Sequence, residues 1–354
     1  MTTVSQQRRI MHMTIGVVAS VSALAWSLVG VEWRAVGEAL QTVRLWPLVL
    51  ALVIFWAHCV VRGYRWRYLL PPPHEAPLSD LFDGLVIGNV CTYLLPLRAG
   101  EFVRPYIVSR RGTYPYPIAL ASVVIERFFD LSAVLICFGF VVSQFSGLPL
   151  WVFQGARALT VLAVFLLLFI VVGVFWRTFV VAAVRWFSSF FGQRLSERLG
   201  FFADDVLRSG SSLRNPATLA KVLGATVLVW VTTFLSYYVF ILMIPSLPLS
   251  PVIAVAVTVI VALAVAAPSA PGFLGIYQAG CVGALNLFGV PTEDAVAFAL
   301  VSHAVQYVIV LLFGAASLQR QGVRWGELRK RVQHEESPLE VVSVLEQDAR
   351  QGDQ

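Results

Sequence analysis

This chain is poor in charge. Asp, Glu, Lys and Arg make up 13% of its 354 residues against 58% apolar ones, and the mean hydropathy is +0.77. That balance excludes a soluble globular domain, which needs charged residues at roughly 25% to cover its surface. Cysteine is scarce as well. Cys59, Cys91, Cys137 and Cys281 all fall inside apolar segments and none belongs to a CxxC pair, so neither a disulfide framework nor a dithiol redox centre is expected. The five histidines, His12, His58, His74, His303 and His334, lack ligand spacing, and no metal site is expected. No acidic metal-binding pair, nucleophile constellation or nucleotide-sugar site stands out, so no catalytic residue and no cofactor is assigned. The net charge of +6 is almost wholly arginine. In so apolar a chain it first sets orientation in a membrane and then suggests anionic partners, with nucleic acid not among them.

What is present is a series of apolar runs long enough, at about 1.5 Å per residue, to cross a hydrocarbon core about 30 Å thick. Met11 to Gly30 is of span length, and no small-x-small cleavage site follows it before Glu32 and Arg34, so it reads as a retained first span and not as a signal peptide. Further spans are expected at about 46–62, 117–142, 158–176, 220–243 and 293–317. Two other apolar stretches, 78–108 and 251–289, are interrupted by Pro96-Leu97-Arg98-Ala99-Gly100 and Pro268-Ser269-Ala270-Pro271-Gly272. Both read as re-entrant pairs of half-helices. The expected fold is therefore an all-α integral membrane protein with about six transmembrane helices and two re-entrant half-helix pairs.

Arginine placement tests that topology, because retained cytoplasmic loops are enriched in Lys and Arg. With the N-terminus inside, the cytoplasmic set holds Arg8, Arg9, Arg62, Arg65, Arg67, Arg110, Arg111, the run from Arg177 to Lys221, and Arg320 through Arg331. The far side holds Arg34, Arg44 and Arg157. Both termini are expected in the cytoplasm of a multi-pass inner-membrane protein, and the two broken segments then enter from opposite sides. Opposed re-entrant segments are the mark of an inverted repeat. Pro96 and Gly100 precede Pro268 and Gly272 by 172 positions, and Phe138-Gly139 precedes Phe313-Gly314 by 175. Repeat one is placed at about 46–142 and repeat two at about 220–317, with interfacial helices at about 178–218 between them. Residues 1–320 form one transmembrane domain, and 321–354 a polar cytoplasmic tail.

Charges at membrane depth cost about 2.5–3.5 kcal/mol each on insertion scales, so those that persist point to function. They cluster at Arg98, Glu101 and Arg104 around the first break, and at Glu126, Arg127 and Asp130 in the following span. A half-helix beginning near Gly100 would aim free N–H groups and a positive dipole end inward, which makes an anion site. At the second break Ser269 is a possible cap, and Gly272 and Gly275 would leave backbone accessible to a ligand. The alternatives for the charged residues are a structural ion-pair network, Arg127 with Asp130 and Arg104 with Glu101, and, for Arg98 and Arg104, snorkelling to the cytoplasmic interface. His58 and His303 are expected to pack, and Asn89, Gln278 and Gln306 to form interhelical hydrogen bonds.

The combination of Gly88-Asn89, Leu95-Pro96-Leu97-Arg98-Ala99-Gly100-Glu101 with Arg104, Glu126-Arg127 with Asp130, and Pro268-Ser269-Ala270-Pro271-Gly272 with Gly275 resembles the lysylphosphatidylglycerol synthase transmembrane family, also called the flippase-like domain family. The resemblance runs over roughly 10–320. It implies a lipid-flipping module associated with aminoacylated phospholipids or with polyprenyl-linked glycolipids. Full-length aminoacyl-lipid synthases add a large soluble transferase domain, and this chain ends at Gln354, so lysyl transfer by this chain alone is not expected. The substrate-binding set read from these residues is Arg98, Gly100, Glu101, Arg104, Glu126, Arg127, Asp130, Ser269, Gly272 and Gly275, with Arg98, Arg104 and Arg127 expected to bind the phosphate of an anionic lipid headgroup and Glu101, Glu126 and Asp130 to orient them or couple movement to protons. Two other readings stay open: a membrane-embedded headgroup or glycosyl transferase, and a non-catalytic partner of a lipid synthase or glycosyltransferase.

Overall fold

The computed structural model describes residues 4–72, 76–95, 98–110, 114–144, 150–190, 192–267, 269–326 and Leu328. Pro96, Leu97, Pro268 and most of the expected tail lie outside them. All regular structure among the described residues is helical: α1 Val4–Leu28, α2 Trp33–Gln41, α3 Pro47–Leu69, α4 Leu78–Leu94, α5 Gly100–Ser109, α6 Tyr116–Ser143, α7 Leu150–Phe175, α8 Arg177–Ser189, α9 Gln193–Ser209, α10 Pro216–Leu242, α11 Pro251–Ala266, α12 Ile276–Asn286 and α13 Thr292–Gln321. Short 3₁₀ turns occupy Gly210–Arg214 and Pro271–Phe273.

Prolines begin several of these helices for a local reason. Pro47, Pro216 and Pro251 stand at the first helical position, where the absent N–H is not missed and φ is already set. Asn215 completes the start of α10 by accepting from the Ala217 N–H at 2.9 Å. By length and composition α3, α10 and α13 can each cross a membrane, and α1 with α2, bent by 86°, adds a fourth if the pair is one span. Six crossings were expected. Of the other two expected spans, 117–142 falls on α6, which has the length but carries Glu126, Arg127 and Asp130 along it, and 158–176 falls on α7, which runs from Leu150 to Phe175.

The helices pack in a pattern that repeats. In the first half α3 lies against α4, α4 against α5, and α5 against α6. In the second, α10 lies against α11, α11 against α12, and α12 against α13. Between the halves α4 meets α13 and α6 meets α11, while α3 and α10 meet each other. Exchanging α3–α6 for α10–α13 maps this set of contacts onto itself. Apolar side chains are left outward on several of these helices, among them Val49, Val53 and Trp56 of α3, Val227 and Val231 of α10, and Val308 and Leu312 of α13. Contiguous apolar surface on this scale needs a non-aqueous surrounding.

One expected boundary moves. Span 46–62 continues as helix to Leu69, so Arg62, Arg65 and Arg67 sit on α3 and not in a loop after it. The helix persists because two of those arginines find buried carboxylates, described next.

Candidate functional site

Arg62 and Arg65 are three residues apart on α3, on one helix face. Glu126 and Asp130 share a face of α6 one turn apart. Where the helices meet, Arg62 Nη2 and Arg65 Nη2 donate to Glu126 Oε1 at 3.0 and 2.9 Å, and Arg65 Nη1 donates to Asp130 Oδ1 at 2.6 Å. Arg104, from α5, donates to the other Glu126 oxygen and lays its guanidinium over the Trp66 ring at 4.0 Å. Arg127 reaches Glu126 and Asp130 at 3.0 Å each and Glu101 at 3.5 Å.

Four guanidinium groups thus meet three carboxylates, a surplus of one positive charge. Glu126 and Arg65 are fully buried and Arg104 is 3% exposed, whereas Arg127, at 43%, opens the cluster to the surface. The carboxylates do not use all the donors. The Nε groups of Arg62, Arg65 and Arg104, and Nη1 of Arg104, are buried without a hydrogen-bond partner. A buried donor without an acceptor costs about 1–3 kcal/mol, more for a charged one.

The expected residues divide between two places. Glu101, Arg104, Glu126, Arg127 and Asp130 come together, with Arg104 paired to Glu126 and not to Glu101. Arg98 stands apart. It takes a left-handed backbone conformation (φ 54°), donates from Nη2 to the Val265 carbonyl at 2.7 Å, and lies over the Phe273 ring at 5.4 Å. It ties the first break to the second. Gly100 is fixed by close approach, since a Cβ there would fall 1.8 Å from the Gly88 carbonyl oxygen of α4.

At the second break, Gly275 and not Ser269 precedes α12, and the Gly275 N–H donates to Gln278 Oε1 at 2.7 Å. Protein groups occupy the surroundings. Ala270 N–H donates to Ser20 Oγ at 2.8 Å, a Cβ on Gly275 would meet the Ser20 carbonyl oxygen at 2.0 Å, and one on Gly16 would meet that of Ser269 at 3.1 Å. The first helix therefore covers this break. His303 bridges Gln278 through Nδ1 at 3.0 Å and the Gly272 carbonyl through Nε2 at 2.9 Å. With Gln278 donating to Nδ1, the ring proton sits on Nε2 and every group is satisfied.

Arg62 and Arg65, which the sequence places among the cytoplasmic arginines, belong to the cluster. The available signal was their shared face with His58 at i, i+4 and i+7 along α3. His58 lines a half-enclosed cavity of about 180 Å³ between α3, α4, α10 and α13. A second polar tie, Asp83 of α4 with Arg320 and Gln321 of α13, joins the two halves away from the cluster.

The family described as "Lysylphosphatidylglycerol synthase TM region" matches residues 13–314. The chain is also similar to "Glycosyltransferase AglD" of Haloferax volcanii, with 31% identity over 117 residues, which is 33% of this chain and 19% of that protein. No solved structure matches.

Proposed function

This chain belongs to the lysylphosphatidylglycerol synthase TM-region family, and from that premise we propose that it moves a phosphate-bearing lipid across the inner membrane, with the arginine cluster between α3, α5 and α6 as the phosphate site. The observation that carries the reading is the set of four buried guanidinium N–H donors without acceptors, in a cluster with a surplus of positive charge. Phosphate diester oxygens match those donors in charge and as hydrogen-bond acceptors. Arg127 is the exposed member through which a headgroup would enter. Glu101, Glu126 and Asp130 hold the arginines apart and in place, since four unpaired guanidinium groups would repel one another.

The same proposal takes α4 with α5 and α11 with α12 as opposed re-entrant pairs, and α3–α6 and α10–α13 as inverted repeats. The exchange symmetry of their contacts supports this, as does the contact of the two breaks through Arg98 and Val265. Arginine-rich ends support cytoplasmic termini. In this arrangement Arg98, Gly100, Ser269, Gly272 and Gly275 shape the hinge between repeats, and the lipid's phosphate engages Arg104 and Arg127.

A second reading, a membrane-embedded glycosyl transferase or the partner of one, is favoured by the similarity to a protein named a glycosyltransferase. One preparation separates the two. The purified chain in vesicles, given a panel of labelled phospholipids and polyprenyl-phosphate lipids, should change the leaflet of at least one of them without changing its chemistry. New glycolipid product formed from added nucleotide sugar, with no change of leaflet, would favour the transferase.

A further inference from the structure

Resting on the phosphate reading above, we propose that the cavity beside the arginine cluster receives an uncharged, hydroxyl-rich group attached to the lipid phosphate, a sugar or glycerol, and not a cationic aminoacyl group. The cavity continues the polar face of α3, for His58 is one turn from Arg62. Its volume of about 180 Å³ far exceeds the roughly 10–15 Å³ that a single water requires by the same measure. Asn89, Tyr93, Thr233, Ser236 and Gln306 line it together with His58, and neither a carboxylate nor a guanidinium does.

The hydrogen bonds already made show what remains on offer. Ser236 Oγ donates to the Thr232 carbonyl at 2.9 Å and Thr233 Oγ1 to the Val229 carbonyl at 2.7 Å, so each hydroxyl oxygen keeps its lone pairs as acceptors. Tyr93 Oη donates to Gln306 Oε1 at 3.1 Å and likewise remains an acceptor. Thr232 Oγ1 spends its proton on the helix carbonyls, so His58 Nδ1 is the donor to it at 3.0 Å and Nε2 is left to accept. Among the described residues the Asn89 amide makes no hydrogen bond within the protein, which adds two donors and an acceptor. Ligand hydroxyls both donate and accept, and this mixture suits them. An ammonium group also donates, but it brings a charge that Arg62, one turn away, opposes and that no lining carboxylate offsets. Its desolvation would go uncompensated.

The test is equilibrium binding to the full chain in detergent, read by thermal stabilisation, with matched phosphate diesters as probes. One pair is a short-chain hexosyl isoprenyl phosphate and isoprenyl methyl phosphate. The other is phosphatidylglycerol and phosphatidylmethanol, with lysyl-phosphatidylglycerol beside them. In at least one pair the hydroxylated probe should bind about tenfold tighter than its methyl partner, the sum expected of two or so neutral hydrogen bonds. Which pair shows the gain tells sugar from glycerol. Asn89→Ala and Ser236→Ala should each cut that gain to about threefold, the loss of one of the two bonds, while leaving the methyl probes' affinity unchanged. Equal binding within both pairs overturns the inference, and so does tightest binding of lysyl-phosphatidylglycerol. The phosphate reading survives either result as long as Arg104→Lys weakens every probe. If Arg104→Lys weakens none, the phosphate reading falls and takes the inference with it.

Discussion

Arg65 of α3 holds both carboxylates of α6 at once, Glu126 at 2.9 Å and Asp130 at 2.6 Å, from a fully buried position. One guanidinium therefore fixes the angle between two helices of the first half. Removing it leaves Asp130 with Arg127 alone and opens a cavity the size of the side chain. Arg65→Ala should lower stability by roughly 3–5 kcal/mol, the range for breaking a buried charge pair on one side. Thermal unfolding in detergent measures it. A shift no larger than that of an exposed control such as Arg34→Ala would remove Arg65 from the framework.

The crossing of α4 and α5 makes a steric prediction. A Cβ on Gly100 would fall 1.8 Å from the Gly88 carbonyl oxygen and 2.2 Å from Thr92 Oγ1. Gly100→Ala should therefore destabilise by about 1–3 kcal/mol, the usual cost of overpacking. Gly37 on α2 has open space around it, and Gly37→Ala should stabilise by up to about 1 kcal/mol through helix propensity. Parallel unfolding of the two variants is the measurement, and equal stability of Gly100→Ala and wild type would contradict the close approach.

Contact of the two breaks can be tested chemically. The Tyr93 and Phe273 rings lie 6.0 Å apart. In a background in which Cys59, Cys91, Cys137 and Cys281 are replaced, the Tyr93→Cys, Phe273→Cys pair should crosslink with a short bifunctional thiol reagent, and each single variant should not.

Orientation has its own measurement. Reporter fusions after Pro291 and at Gln354 should report opposite sides of the membrane, because α13 lies between them. Finding both on one side would end the topology proposed here.

Much of this architecture is legible in the sequence because its signals are local. Pro and Gly at the two breaks, the apolar runs, and the i, i+4 spacing of Glu126 and Asp130 are each read from a few neighbouring residues. Arg62 and Arg65 escape such reading. An arginine near a span end looks the same whether it snorkels to the interface or pairs across to another helix, and the partner, Glu126, lies some sixty residues on. Read as loop arginines they place the span end near residue 62, whereas the helix runs to Leu69. The second break shows the converse. Its glycines do announce close approach, but what approaches is Ser20 and Tyr307 of the protein's own helices, a tertiary fact that no local pattern carries.

The central claim, that the arginine cluster holds a lipid phosphate, is tested most directly at Arg104. Lysine there keeps the charge and loses the planar fork, while Glu126 retains Arg62, Arg65 and Arg127 as partners. Leaflet exchange of a labelled phosphate lipid by vesicles containing wild-type, Arg104→Lys and Arg104→Ala protein is the measurement. Both variants should fold and insert, and Arg104→Lys should lose nearly as much transport as Arg104→Ala, about tenfold or more if one bidentate contact is lost. Wild-type transport by a folded Arg104→Ala protein would contradict the account.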